Sequence, residues 1–165
     1  GKTWGIIGLG AIGRRVAEIA RAFGAKVIYY SASGAPAQEG YEQVDFETLL
    51  TQSDIISVHA PLNEHTEGLI NSKAFEKMKS SCIFLNLGRG PIVDEQALYN
   101  ALVRNQIAAA GLDVLCKEPM SADNPLLKIK DSKRLLITPH IAWASVEART
   151  HLMEIIHGQV KDFFA

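Results

Sequence analysis

Residues 8–13 read Gly-Leu-Gly-Ala-Ile-Gly, and no other stretch of the chain narrows the choice of folds as much. The apolar run Trp4-Gly5-Ile6-Ile7 leads into it, and Arg14-Arg15-Val16-Ala17-Glu18-Ile19-Ala20, with helical apolar spacing, leads out. A strand that passes through Gly-x-Gly-x-x-Gly into a helix makes a corner that grips a diphosphate. Gly8 permits the tight turn, Gly10 lacks the Cβ that would block the diphosphate, and Gly13 lets the helix lie close to the strand. Ala11 and Ile12 begin the helix, where unpaired N–H groups and a partial positive charge favour phosphate. Gly8, Gly10, Ala11, Ile12 and Gly13 are therefore the first predicted binding residues, and a dinucleotide is the predicted ligand.

The rest of the chain repeats that rhythm of β-rich run and helical segment. The pattern predicts strands at about 3–7, 26–30, 54–59, 82–86, 108–114 and 135–138, and helices at about 11–23, 46–52, 72–78, 94–104 and 144–163. Runs such as Ile55-Ile56-Ser57-Val58 and Cys82-Ile83-Phe84-Leu85 are apolar on successive residues. Such strands are covered on both faces, as in a parallel sheet. Asp94-Glu95-Gln96 opens a helix with carboxylates at its positive end. The expected fold is α/β: a doubly wound parallel sheet of Rossmann type in three αβα layers, with residues 1–165 forming one dinucleotide-binding domain. The longest irregular stretch is about 115–134, and a loop of that length is usually functional or mobile. In the last helix Leu152, Ile155, Ile156, Val160 and Phe163 recur at near-helical spacing, which reads as core or interface.

Composition removes several classes of function. A formal net charge of −1 gives no field for nucleic acid or an anionic membrane. No apolar run is long enough to cross a bilayer. The start, Gly1-Lys2-Thr3-Trp4, shows no signal peptide and no initiator methionine, so a cytoplasmic piece of a longer protein is expected. The two cysteines, Cys82 and Cys116, have no local activating base and no framework spacing. No His, Cys or Asp grouping has metal-ligand spacing, so no metal is expected.

In a parallel sheet of this kind ligands collect beyond the carboxyl ends of the strands. Ser31 ends the second strand, where an Asp or Glu would accept hydrogen bonds from the adenine ribose. Serine can bond a hydroxyl and does not repel a 2′-phosphate, so either NAD or NADP is compatible; a simple turn residue is the alternative. Arg89 follows the fourth predicted strand within Asn86-Leu87-Gly88-Arg89-Gly90-Pro91. Glycines on both sides suit a strained turn that exposes the guanidinium, a planar fork for a substrate carboxylate. His140 follows Ile137-Thr138-Pro139 and has the pKa range of a proton carrier. Glu118, before Pro119, is a carboxylate that could orient that imidazole. From spacing alone, surface charges and a satisfied loop histidine explain these three equally well.

The chain resembles the nucleotide-binding domain of the D-2-hydroxyacid dehydrogenases along essentially its whole length. The likeness is carried by residues 1–13, by His59-Ala60-Pro61-Leu62 with Thr66, and by Asn86-Leu87-Gly88-Arg89-Gly90. Gly111-Leu112-Asp113-Val114 with Glu118-Pro119, and Pro139-His140-Ile141-Ala142-Trp143, complete it. The resemblance implies an oxidoreductase that transfers hydride between NAD(P)H and a small 2-keto or D-2-hydroxy acid. It implies that Arg89 holds the carboxylate, that His140 is the acid/base and that Glu118 supports it. It implies that Asp113 binds the nicotinamide carboxamide, and that His59, Pro61, Thr66, Leu87, Gly88 and Ala142 lie on the cofactor side. For His59 a packing role is the alternative, and for Trp143 a substrate-pocket wall or a dimer contact. Glu118 stands where the formate branch carries Gln, and His140-Ile141-Ala142-Trp143 leans toward the glycerate/hydroxypyruvate or glyoxylate branch. Members of the family also have a second, substrate-closing domain, for which this chain has no room, so the isolated domain is expected to bind a dinucleotide and turn over poorly, if at all; members commonly form homodimers. Two related readings of another class are an NAD-binding corepressor and a redox-sensing module, both without turnover.

Overall fold

The computed structural model describes residues 1–164. Strand β1 (Thr3–Ile7) leads to helix α1 (Ala11–Ala22) and β2 (Lys26–Tyr30), then to a two-residue β3 (Glu42–Gln43) and α2 (Phe46–Gln52). There follow β4 (Ile55–Val58), α3 (Ser72–Lys77), β5 (Ile83–Asn86), α4 (Glu95–Val103), β6 (Ala109–Leu112), β7 (Leu135–Ile137) and α5 (Val146–Phe163). The strands form one sheet in the order β3-β2-β1-β4-β5-β6-β7, and every pairing is parallel. All carboxyl ends therefore lie along one edge. The order reverses between β1 and β4, the switch point at which such sheets open a crevice.

Strand side chains alternate between two layers. Ile6 packs with Ala17 and Ala20 of α1 and with Val27 and Tyr29. Its neighbour Ile7 points the other way, into the larger core of Leu49, Leu50, Ile56, Val58, Phe75, Phe84, Leu98 and Leu102. The second layer thus holds α2, α3 and α4. At about 25 cal/mol per Å² of apolar surface, each fully buried side chain of this size contributes roughly 1.5–3 kcal/mol.

Three features depart from the sequence reading. β3 was not expected, since Glu42–Gln43 carries no apolar alternation and pairs only with Ile28 and Tyr29. The stretch 115–134 contains a 3-10 turn, Pro125–Lys128, capped by the Asn124 side chain. α5 is a helix, capped by Ser145, yet no residue of it is buried. Leu152, Ile155, Ile156 and Val160 are all exposed, so the core reading of this helix is wrong: periodicity sets which side is apolar, and only a neighbouring element can bury it.

Candidate functional site

The glycine corner sits at the switch point. Gly8 has φ +92°, the left-handed region that side chains avoid, and a Cβ there would lie 2.7 Å from the backbone nitrogen of Ala60. A Cβ on Gly13 would lie 2.2 Å from the Gly8 carbonyl oxygen, whereas one on Gly10 would meet nothing within 4 Å. The last position is thus not required by protein packing, and its backbone is open to close approach. Gly10 is also the N-cap of α1, with no side chain capping the helix and no acid in its first turn. The other α-helices are capped by Asp45, Asn71, Asp94 and Ser145. Ala11 and Ile12 are exposed at this uncapped end. An open cradle over an uncapped helix N-terminus fits a dinucleotide diphosphate.

The end of β2 lies alongside. The Gly8 N–H donates to the Tyr30 carbonyl (3.0 Å), and Ser31 Oγ is 3.2 Å from Ser33 Oγ. The loop beyond is anchored by Gln38, whose side chain donates to the Leu9 carbonyl (2.8 Å) and whose N–H donates to the Tyr29 hydroxyl (2.9 Å).

Beyond β4, Ala60 separates two turns. It abuts Gly8 on one side, and on the other a Cβ at Gly88 would lie 3.0 Å from its carbonyl oxygen. His59, partly buried, shares Ser57 Oγ with Trp4: the indole N–H donates to it (2.9 Å), and His59 Nε2 lies 3.1 Å away. His59 Nδ1 is buried with no partner, and burial pushes the imidazole down to about 4, so it stays neutral. Thr66 is buried; its hydroxyl donates to the Pro61 carbonyl (2.7 Å) and accepts the Asn63 N–H (2.9 Å), so it shapes the Pro61 loop from within.

After β5 the chain turns through Leu87 and Gly88 to Arg89. Buried Asn86 clamps the turn: its Oδ1 accepts the Gly88 N–H (3.1 Å) and its Nδ2 donates to the Arg89 carbonyl (3.0 Å). Leu87 is exposed on the rim. The Arg89 guanidinium donates to the Gly88 carbonyl (2.8 Å) and has no carboxylate partner among the described residues. The strained turn expected here is absent. Arg89 is extended, at φ −141°, and the flanking glycines answer to close packing. Besides the Gly88–Ala60 approach, a Cβ on Gly90 would lie 2.0 Å from the Leu115 carbonyl.

Glu118 and His140, 22 residues apart, form a pair. His140 Nδ1–H donates to Glu118 Oε2 (2.8 Å), and Glu118 Oε1 accepts the Leu115 N–H (2.9 Å). The His140 bond first, and the Leu115 N–H second, hold the Glu118 carboxyl below its ordinary value. An ionised carboxylate can only accept, which places a proton on Nδ1 and leaves Nε2 for exchange. His140 itself has φ +53°, a conformation that costs a non-glycine residue about 1 kcal/mol or more and that its surroundings must impose. They do so through buried Asp113, whose Oδ1 accepts from the Thr138 hydroxyl and the Ile141 N–H (2.9 Å), and whose Oδ2 accepts the Ala142 N–H (2.8 Å). Burial raises the Asp113 carboxyl, but these three donors outweigh it and hold the group below its usual range. Trp143 adds an indole N–H to the His140 carbonyl (2.8 Å). A cavity of about 880 Å³ opens beside the pair, walled by Met120, Leu126, Ile129, Leu135 and Ile137.

Sequence reasoning missed the clamps: Asn86, Gln38, the Trp143 indole and the grip of Asp113 on residues 138–142. For Asn86 a signal existed, because an Asn two residues before a Gly is a side-chain turn pattern. Gln38 and Asp113 reach residues too distant along the chain, and the Trp143 bond, only three residues back, depends on the left-handed turn at His140. Among the described residues no group of three His, Cys, Asp or Glu could hold a metal ion, and no helix is long and apolar enough to cross a membrane.

The family described as D-isomer specific 2-hydroxyacid dehydrogenase, NAD binding domain, matches residues 1–142. The hydroxypyruvate reductase of Blautia hydrogenotrophica is 46% identical over 165 residues, 99% of this chain and 50% of that protein. Among solved structures, the D-lactate dehydrogenase of Aquifex aeolicus, complexed with NAD and lactic acid, superposes with a TM-score of 0.89 at 32% identity, over 99% of this chain and 53% of that one. An acyclic imino acid reductase in complex with NADPH and D-Arg gives 0.88 at 40% identity, over 99% and 51%. The chain spans about half the length of the relatives it matches.

Proposed function

Because this chain belongs to the D-isomer specific 2-hydroxyacid dehydrogenases, as their NAD-binding domain, we propose that it serves hydride transfer between NAD(P)H and C2 of a small 2-keto or D-2-hydroxy acid. The observation that carries this reading is the Glu118–His140 pair at 2.8 Å, held at the same sheet edge as an open diphosphate cradle. When bound, the dinucleotide supplies the hydride donor or acceptor. The glycine corner and the bare end of α1 bind its diphosphate, and the rim residues Ser31, Pro61, Leu87, Gly88 and Ala142 border its path.

The chain's own residues handle charge and protons. Arg89 has a guanidinium unpaired by any carboxylate among the described residues, and it binds the carboxylate of the acid and draws electron density from the ketone. His140, protonated at Nε2, gives that proton to the oxygen of the reduced carbon; in the oxidising direction it takes the proton back. Glu118 fixes the tautomer, because only a proton on Nδ1 satisfies the hydrogen bond. Asp113 holds Ala142 in place and has lone-pair capacity left for a carboxamide N–H. Hydroxypyruvate and glyoxylate are the first substrates to try.

The test is loss of NADH or NADPH absorbance with a panel of 2-keto acids, using the full-length protein that carries this domain together with a substrate-closing domain, in parallel with a His140→Gln variant. Turnover is expected with a short 2-keto acid, and the variant is expected to lose about 100-fold or more of it. Dinucleotide binding without any turnover would instead favour a sensing or corepressor role.

A further inference from the structure

Glu95 is the first residue of α4, next to the N-cap Asp94 and five beyond Gly90. It makes no ion pair among the described residues. Both carboxylate oxygens turn instead to the loop that carries Glu118: Oε1 accepts the Cys116 N–H (2.8 Å) and Oε2 accepts the Asn124 side-chain N–H (2.8 Å). Asn124 is buried, and its other end is committed, since Oδ1 accepts the Leu126 N–H (2.9 Å) and starts the 3-10 turn. One carboxylate thus ties down both ends of the segment 116–124, with Glu118 between them. The same segment leans on the Arg89 turn, where Gly90 has no room for a Cβ against Leu115 and where Cys116 Sγ lies 3.5 Å from the Val93 carbonyl.

We propose that Glu95 is a positioning residue for the acid–base pair: by accepting from Cys116 and Asn124 at once, it fixes the 115–124 loop where Glu118 meets His140 and keeps that loop in register with the Arg89 turn. The proposal rests on the reading of Glu118–His140 as the acid–base pair only for its catalytic consequence; its geometric content stands apart from it. The donor–acceptor pattern explains why a carboxylate is used. Both partners are donors, so two acceptors are needed. An amide supplies one, and its NH2 would face the Asn124 NH2, which cannot turn over without abandoning Leu126.

The pattern defines its own test, read by carbon-detected NMR titration of the Glu118 carboxyl in the folded protein. Glu95→Gln, and separately Asn124→Asp, each oppose like groups and should let the Glu118 titration rise toward the ordinary 4.5. The double variant Glu95→Gln/Asn124→Asp restores a donor opposite an acceptor and should return the titration to its wild-type position. Asp45, whose carboxylate accepts locally from Thr48, serves as the control that does not move. Turnover of a 2-keto acid should follow the same order, falling about 10-fold or more in each single variant and recovering in the double, with dinucleotide affinity within twofold throughout. An unmoved Glu118 titration in both folded single variants overturns the proposal, as does a double variant that fails to restore it. If one single variant does not fold, the other and the double decide. A correct NMR pattern with no turnover in any form of the full-length protein leaves Glu95 a positioning residue and removes the catalytic reading of the pair instead.

Discussion

Lowering the pH from 7 to 5 should weaken this protein through one side chain, His59. Burial holds its imidazole at about 4, against 6.5 in an unfolded chain. Between those values the unfolded state binds the proton and the native state does not, so stability rises with pH across the window and falls as the solution is acidified. At ~1.4 kcal/mol per pH unit the full gap is worth about 3 kcal/mol, and the part that lies between pH 7 and pH 5 is about 2 kcal/mol. Partial exposure makes that figure a ceiling. Asp45, Asp54, Asp113 and Glu118 are all held below their ordinary values, so their contribution is lost only at lower pH and does not blur the window. The assay is urea unfolding at pH 7, 6 and 5 for the wild type and for His59→Gln, which stays neutral and can still bond Ser57 Oγ. The remaining histidines are common to both proteins and cancel. The wild-type midpoint should fall by up to roughly 1 M urea relative to the variant over this range. Parallel loss of stability in the two proteins would refute the assignment of a buried, unpartnered imidazole to His59.

Other perturbations separate packing from binding. Gly13→Ala drives a Cβ to 2.2 Å from the Gly8 carbonyl and should cost about 1–3 kcal/mol in thermal unfolding, whereas Gly10→Ala meets no atom and should stay within about 1 kcal/mol of wild type. Gly10→Ala should nevertheless weaken dinucleotide binding in a titration of NADH fluorescence. Asp113→Asn turns an NH2 toward one of three donors, and about 1–3 kcal/mol should be lost, with faster hydrogen exchange at the Ile141 and Ala142 amides. Ser31→Asp adds a carboxylate at the end of β2 and should shift binding from NADPH toward NADH; an unchanged ratio of the two Kd values removes Ser31 from the ribose site.

What could be read in the sequence was local. The glycine corner needs only six consecutive residues and the elements on either side, and the order of strands and helices follows from apolar spacing within each segment. The edge at which Gly8, His59, Arg89, Asp113 and His140 assemble then follows from parallel pairing alone. What escaped depends on neighbours remote along the chain. Glu42–Gln43 becomes a strand only because β2 offers it an edge. α5 shows apolar periodicity, yet nothing among the described residues covers it. The Arg89 turn was expected to need its glycines for backbone strain, and it needs them because Ala60 and Leu115 crowd in from other loops. Asp113 was given to the cofactor by likeness to a family, while three of its four lone-pair sites serve the backbone and hydroxyl around His140.

Ala60 touches both the glycine corner and the turn before Arg89, with no room for a Cβ at Gly8 and a tight approach at Gly88. Loop grafting between relatives therefore meets a shared seam here rather than two independent modules. A bulkier residue at this position would press on both turns together, so a transplanted Arg89 loop must travel with its matching glycine corner.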